Sequence, residues 1–498
     1  MGLLQAALSC NAESEIAVDD GRTQLSYGQL CEAVNEARRS LAAMPVRRVA
    51  LLASNSAGWV IADLALHLER LASVPLPVSF TDAQLRHAIE DAGIEALLTD
   101  DPQRAARLLP RWVEGGTLRP SGLAVRLRTG CDSECHPLPA GTVKVTYTSG
   151  STGTPRGVCL GASQLDAVTR SLVDATRVLH LRRHLCVLPL STLLENVAGL
   201  YAPLAAGATC IVPAVDELTR QLDVRRLLDR IATARPDSLI LVPELLQMLV
   251  TAAESGWTVP PSLHFIAVGG ACVAPGLLAR AAAVGLPVYE GYGLSECASV
   301  VCLNTSDARR AGTVGRPLPH VQVRVDERGE LQVRGATMLG YLGEAPLSAY
   351  AEFATGDLAT LDADGYVRIH GRLRNMYITS LGRNVSPEWV EREIAAEPGI
   401  GQVLVHGEAR PYAVALIVPS GASADASLID RAIATANMRL PEYARVCRWT
   451  WAPAKFTAEE GLVTGNGRLR RDAIVGRYGW LIDSMYRDGE SARREASA

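Results

Sequence analysis

The sequence is short of lysine, of aromatics and of any basic excess, and each shortage removes a class of protein. Lys144 and Lys455 are the only lysines, so 47 of the 49 basic residues are arginine. We read that skew as compositional bias of the source genome. Against 53 acidic residues the formal charge is −4, which leaves out the basic footprint of a nucleic-acid or anionic-membrane binder. Aromatics are 5% of the chain, so Leu, Val, Ile and Ala must build the core. One charge-free run, Val197–Val215, is 19 residues long and could match a bilayer. Gly199, Pro203, Gly207 and Pro213 interrupt it, so a buried helix, turn and strand is expected instead of an integral membrane segment. The N-terminus lacks targeting features: Ala6 replaces the hydroxyl residue of a myristoylation signal, and no basic residue precedes the apolar Leu3–Leu8.

What is present is ordinary globular material. Hydrophobic residues make up 48% and charged residues 20% of 498, a length for two to four domains at about 100–200 residues each. The 11 cysteines form no metal-ligand pairs; Cys131 and Cys135 have no second pair to complete a site. Cys186, Cys210 and Cys302 lie in apolar runs, as reduced core thiols do, and this points to the cytoplasm. His180, His184 and His264 end apolar runs without a recognisable carboxylate or cysteine partner and are assigned structural roles. No Ser-His-Asp order or HExxH pattern is visible.

From about residue 45 to 300, short β-rich runs such as Arg48–Ala53, Val143–Thr146, Ser238–Val242 and His264–Val268 alternate with helical stretches such as Leu165–Val178 and Pro275–Ala283. That alternation predicts an α/β fold of stacked, mostly parallel sheets covered by helices. After residue 310, short strands split by Asp326-Glu-Arg-Gly329 and Asp362-Ala-Asp-Gly365 predict a small antiparallel β unit. From about 375 a helix at Pro387–Ala396, strands at Val403–Val405 and Ala413–Ile417 and a helix at Ser427–Met438 predict a small α+β domain.

The strongest local signal is Tyr147-Thr-Ser-Gly-Ser-Thr-Gly-Thr-Pro-Arg-Gly157, expected to follow a strand and precede a helix. Its glycines let backbone approach phosphate oxygens, and the hydroxyls of Thr148, Ser149, Ser151 and Thr152 can donate to them. Gly150 and Gly153 keep the loop open and Arg156 adds a positive charge. The loop matches neither GxGxxG nor GxxxxGK[ST]. Taken alone, it favours phosphate binding, with a Ser/Gly-rich surface turn as the alternative.

Four further segments follow in order: Gly291-Tyr-Gly-Leu-Ser-Glu296, Gly329-Glu-Leu-Gln-Val-Arg-Gly335 with Gly340-Tyr341, Thr355-Gly-Asp357, and Gly371-Arg372. With the loop, this set resembles the adenylate-forming superfamily of acyl-CoA synthetases, luciferases and peptide-synthetase adenylation domains, over roughly residues 15 to 480. Pro189–Gly199 and Ile378–Glu388 are most similar to long-chain acyl-CoA synthetases. The resemblance implies a mobile lid: an ATP- and carboxylate-binding domain over 1–371, a hinge at 372–374 and a lid over 375–498. It also implies ATP-dependent activation of a carboxylic acid to an acyl-adenylate, then transfer to the thiol of coenzyme A.

Chemistry and resemblance together assign roles. Glu296, a hard carboxylate, is the natural Mg²⁺ ligand, and Ser295, where the family usually has Thr, should donate to the α-phosphate. Tyr292, with Gly293 beside it, offers a ring to adenine, and Gly270 and Ala271 offer backbone groups to its edge. Asp357 can accept the ribose hydroxyls, and Arg372 supports ribose or phosphate. The resemblance places Gly382 on the coenzyme A channel and Arg468 at a position where the family has lysine. Arg keeps the charge but widens it into a planar fork. Lys455, upstream, is read as a surface loop lysine. The expected acid pocket, Leu193–Leu200, Ala267–Cys272 and Tyr289–Ser299, is rich in small and apolar residues and lacks an obvious charged partner beyond the motif carboxylates, which suits a fatty or other apolar acid. Open alternatives are an acyl carrier protein or a nitrogen or oxygen nucleophile as acceptor, and a nucleotide-binding pseudoenzyme. Monomer and homodimer are both compatible with the sequence.

Overall fold

A computed structural model describes residues 2–10, 12–130, 136–148, 156–214, 224–271, 273–348, 351–378, 384–421, 424–464 and 468–495. Two large sheets dominate the first 350 residues. The first places Ala72–Pro75, Arg48–Leu52 and Ala96–Thr99 side by side and parallel, with antiparallel strands closing both flanks. The second aligns Arg183–Leu185, Ser238–Leu241, Phe265–Val268 and Val288–Tyr292 in parallel, and Cys302–Leu303 turns antiparallel at its edge. The expected parallel sheets are therefore the centres of two mixed sheets.

Each sheet has helices on its faces because its strands are apolar on both sides. The largest core packs the helices Tyr27–Ala42, Ala57–Leu68 and Ala162–Thr176 between the sheets. A second core covers the other face of the second sheet with Val224–Ala234, Pro243–Glu254 and Pro275–Ala283. The predicted small β unit is a four-stranded antiparallel sheet, Val321–Val325, Glu330–Gly335, Phe353–Leu361 and Val367–Arg372, with its own core. Beyond it, the strands Ile400–His406, Ala413–Pro419 and Val446–Trp451 carry one apolar cluster on each face. Among the described residues no helix is long and apolar enough to cross a membrane.

The charge-free run holds the expected helical segment, turn and strand, but the segment is a π-helical turn, Glu195–Tyr201, leading into Ala202–Ala205 and the strand Thr209–Ile211. Pro203 has no N–H to return to the Gly199 carbonyl four residues back. That oxygen accepts from the buried thiols of Cys186 and Cys210, at 3.4 and 3.8 Å. Beneath the turn lies Lys144, fully buried: its Nζ donates to Asp63 Oδ1 at 2.9 Å and to the Tyr201 hydroxyl at 3.0 Å, and it also meets Asn196. Tyr201 and Asn196 in turn donate to Asp63 Oδ2. One of the two lysines in the chain thus anchors the π-helical turn to the helix Ala57–Leu68.

Candidate active site

A single cavity of ≈ 2580 Å³ opens along the carboxyl ends of the second sheet and is roofed by the C-terminal part. Sites in parallel sheets form there because loops leave the strand ends side by side. Arg156, Gly270, Ala271, Tyr292, Gly293, Ser295, Glu296, Asp357, Arg372 and Arg468 all border it, although they are scattered over 300 residues of sequence.

Glu296 sits in the 3₁₀ turn Ser295–Cys297, directly after the strand Val288–Tyr292. Its Oε1 accepts from the Tyr341 hydroxyl at 3.0 Å. The strand Gly340–Tyr341 pairs with Arg156–Gly161, so Tyr341 also lies under the Arg156 guanidinium, 3.6 Å from its ring centre. Arg156 in turn pairs with Glu344. Among the described residues no cation pairs with Glu296, which leaves a hard carboxylate oxygen open toward the cavity and fits a Mg²⁺ ligand. Tyr341 enters the sequence reading only as part of a motif. Its contact with Glu296 is decided by strand pairing.

Gly293 is held by a close approach, since a Cβ there would stand 1.6 Å from the Ser299 carbonyl oxygen. Asp357 is buried, with Oδ1 2.7 Å from Arg372 Nε and Oδ2 accepting from the Tyr292 hydroxyl at 2.6 Å. Arg372 and Tyr292 therefore orient the carboxylate expected to face ribose, and each of its oxygens keeps a lone pair. Beside the expected hinge, a Cβ on Gly371 would stand 2.1 Å from Ser386 Oγ, so any larger residue would displace that side chain.

From the C-terminal part, Arg468 Nε donates to the Gly270 carbonyl at 2.6 Å. The residue expected at the family's lysine position thus reaches the turn expected at the adenine edge. Lys455 is exposed, as expected, and borders the same cavity. Thr148 ends a strand whose neighbour Arg156–Gly161 runs antiparallel to it. The phosphate loop therefore joins two strands of a hairpin. This corrects the expected strand–loop–helix order; the apolar Val158–Leu160 pairs as a strand before the helix Ala162–Thr176 begins. Ser149, Gly150, Ser151, Thr152, Gly153 and Gly382 lie outside the described residues, as do Cys131 and Cys135.

The acid pocket also differs from expectation. Leu193, Leu194, Ala198 and Ala267 line it, but so do Leu172, Leu181, Ala202, His184 and Ser238. His184 is not without partners. Ligand atoms of His184, Cys186 and Glu195 lie within 4.8 Å of one another, all buried. Burial pushes the Glu195 carboxyl above its ordinary range. Burial likewise pushes Glu290 up to about 7, against the pull of Arg392, Arg368 and Arg309.

Residues 4–342 match the AMP-binding enzyme family and residues 375–490 its C-terminal domain. The chain is 25% identical to the long-chain-fatty-acid–CoA ligase FadD15 of Mycobacterium bovis, over 94% of this chain and 93% of that one. It is 29% identical to a feruloyl-CoA synthase of Amycolatopsis, over 93% and 96%. Its fold is similar to that of the anthranilate CoA ligase AuaEII in complex with anthranoyl-AMP, with a TM-score of 0.79 at 19% identity over 96% and 97%. With the ordered motifs converging on one cavity and the family match spanning most of its length, the chain belongs to the AMP-binding enzyme family.

Proposed function

We propose that the chain joins a carboxylic acid of apolar character to coenzyme A in two steps driven by ATP. In the first, an oxygen of the acid's carboxylate attacks the α-phosphorus. The bond from that phosphorus to the β-phosphate bridging oxygen breaks, giving acyl-adenylate and pyrophosphate. In the second, the thiol of coenzyme A attacks the acyl carbon, loses its proton, and AMP leaves. The observation that carries this reading is the convergence of Glu296, Asp357 and Arg468 on a cavity with an apolar branch.

Both reactants of the first step are anionic, so the site must offset their repulsion. Glu296 would hold Mg²⁺, which supplies charge neutralisation at the phosphates when bound. Asp357, oriented by Arg372 and Tyr292, accepts from the ribose hydroxyls. Ser295 donates to the α-phosphate, and the loop Thr148–Arg156 surrounds the remaining phosphates. Arg468 faces the carboxylate as it attacks. For the second step residues 375–498 rotate about 372–374 and bring Gly382 to the thiol channel, a hinge closure that separates the two half-reactions.

The test is acid-dependent pyrophosphate release and its stimulation by coenzyme A. Arg468→Ala should slow release by about 100-fold while thioester formation from a synthetic acyl-adenylate stays within about threefold. Arg468→Lys should retain the first step. Equal damage to both steps would assign Arg468 to lid docking alone, and release that coenzyme A does not accelerate would exclude it as the acceptor.

A further inference from the structure

Behind the nucleotide end, the cavity continues between the second sheet and the layer formed by Ala162–Thr176 and the π-helical turn. Leu172, Leu181, Ala198, Ala202, Ile240 and Phe265 make its walls. From Gly269, where the strand leaves the sheet, back to Phe265 is four residues, or about 13 Å at about 3.3 Å each. The branch thus runs from the carboxyl ends of the strands to their amino ends.

At that depth the apolar wall is interrupted. His184 pairs with Ser238, and Ser238 with Phe265, in the register of the three parallel strands. Residues paired in this way point to one face, and His184 and Ser238 both border the cavity. His184 Nδ1 lies 2.9 Å from Ser238 Oγ and its Nε2 lies 3.4 Å from Glu195 Oε1. Glu195 comes from the π-helical turn and is fully buried. Gly199 leaves room for the pair; a Cβ there would stand 2.5 Å from Glu195 Oε1 and 2.9 Å from His184 Nε2.

The proton inventory gives this chain a direction. Burial raises the Glu195 carboxyl against the pull of His184, and in its neutral form that acid would donate to His184 Nε2. In that arrangement the ring hydrogen is on Nδ1, 2.9 Å from the Ser238 Oγ that accepts it. The Ser238 hydroxyl is left with its own hydrogen to give, and the free space beside it is the cavity. A buried donor with no acceptor is unfavourable, so a ligand that supplies an acceptor gains over one that does not.

We propose that Ser238, oriented by His184 and Glu195, donates a hydrogen bond to an oxygen on the distal part of the acid, so that the preferred substrates are oxygenated acids. Their carboxyl lies about 13 Å away, at the Gly269–Gly270 end. Ser238 touches the substrate; His184 and Glu195 act through it as positioning residues. The inference rests on the acid-activation reading above.

The experiment compares saturated acids of one chain length, unsubstituted or bearing a hydroxyl or keto oxygen at successive distal carbons. Pyrophosphate release reads turnover, and the thermal midpoint of the protein with each acid alone reads occupancy of the branch. One oxygen position should be favoured at least about tenfold in kcat/KM, mostly through KM, since the bond is made equally in the ground and transition states. Ser238→Ala should bring that ratio to within about twofold of unity. Glu195→Gln keeps a donor for His184 Nε2 and should retain the preference, while Glu195→Leu should lose it. Turnover without preference for any oxygenated acid, or a preference that survives Ser238→Ala, overturns the inference and leaves acid activation standing. Ser238-dependent stabilisation by an oxygenated acid without pyrophosphate release upholds the branch and removes acid activation. Acids that neither bind nor react remove both.

Discussion

At the proposed nucleotide end of the cavity, Asp357 is fixed between the Arg372 guanidinium and the Tyr292 hydroxyl, and Glu296 meets the Tyr341 hydroxyl. At the far end, Glu195 faces a histidine and a thiol, with its Oε2 unpartnered among the described residues. Both ends use carboxyl groups, but only at the first are they proposed to meet a ligand that brings positive charge or hydroxyl donors. The second sits in a dry wall where desolvation favours the uncharged form. The Asp63–Lys144–Asn196–Tyr201 network, on the other side of the same π-helical turn, shows the third possibility. It is just as buried, but its charges are paired and it lies away from the cavity. A closed network holds structure, and an open one beside free space is available for recognition.

The closed network should be the costliest to break. Lys144→Ala leaves the Asp63 carboxylate buried without its counter-charge, and a loss of about 3–5 kcal/mol is expected in urea unfolding. A loss below about 1 kcal/mol would mean that Asp63 takes up a proton or the turn repacks, and the contrast with Glu195 would disappear. At the nucleotide end, Glu296→Ala should lower pyrophosphate release by more than about 100-fold with the unfolding midpoint unchanged. Near-normal release would remove Glu296 as a metal ligand. Asp357→Ala should raise the KM for ATP by about tenfold, because the ribose loses acceptors in ground and transition states alike. An unchanged ATP dependence would make the Arg372 pair purely structural.

The smallest effect is expected at Glu195→Gln. The folded-state pKa of Glu195 is raised above its ordinary value of 4.5. Its contribution to stability is therefore fully present below pH 4.5 and is lost as pH rises through the folded value. Glutamine cannot ionise, so the variant should lose less stability than the wild type as pH rises from 4.5 to about 8. Parallel pH profiles for the two proteins would show that Glu195 is charged in the fold and would merge the two ends into one kind of site.

The motifs were legible because each is short, continuous and tied to a strand: Tyr292 ends one strand with Glu296 in the turn after it, Asp357 lies within another, and Arg372 ends a third. Even there, the sequence placed a helix after the phosphate loop where Arg156–Gly161 pairs as a strand. An apolar run as short as Val158–Leu160 is compatible with either and is settled by its neighbour. The tail end was not legible. His184, Glu195 and Ser238 are 11 and 54 residues apart from one another along the chain, and no spacing rule links them.

The sequence by itself determined the fold class, the order of the motifs and which charged residues they carry, because periodicity, turn residues and contiguous motifs are local properties. Tertiary structure alone decided that Tyr341 reaches Glu296 and that Arg468 reaches the Gly270 carbonyl. It also turned a histidine read as structural into part of a cavity wall. Those outcomes depend on which strands become neighbours and in what register, and non-local pairing is set by the energy of the whole packed sheet.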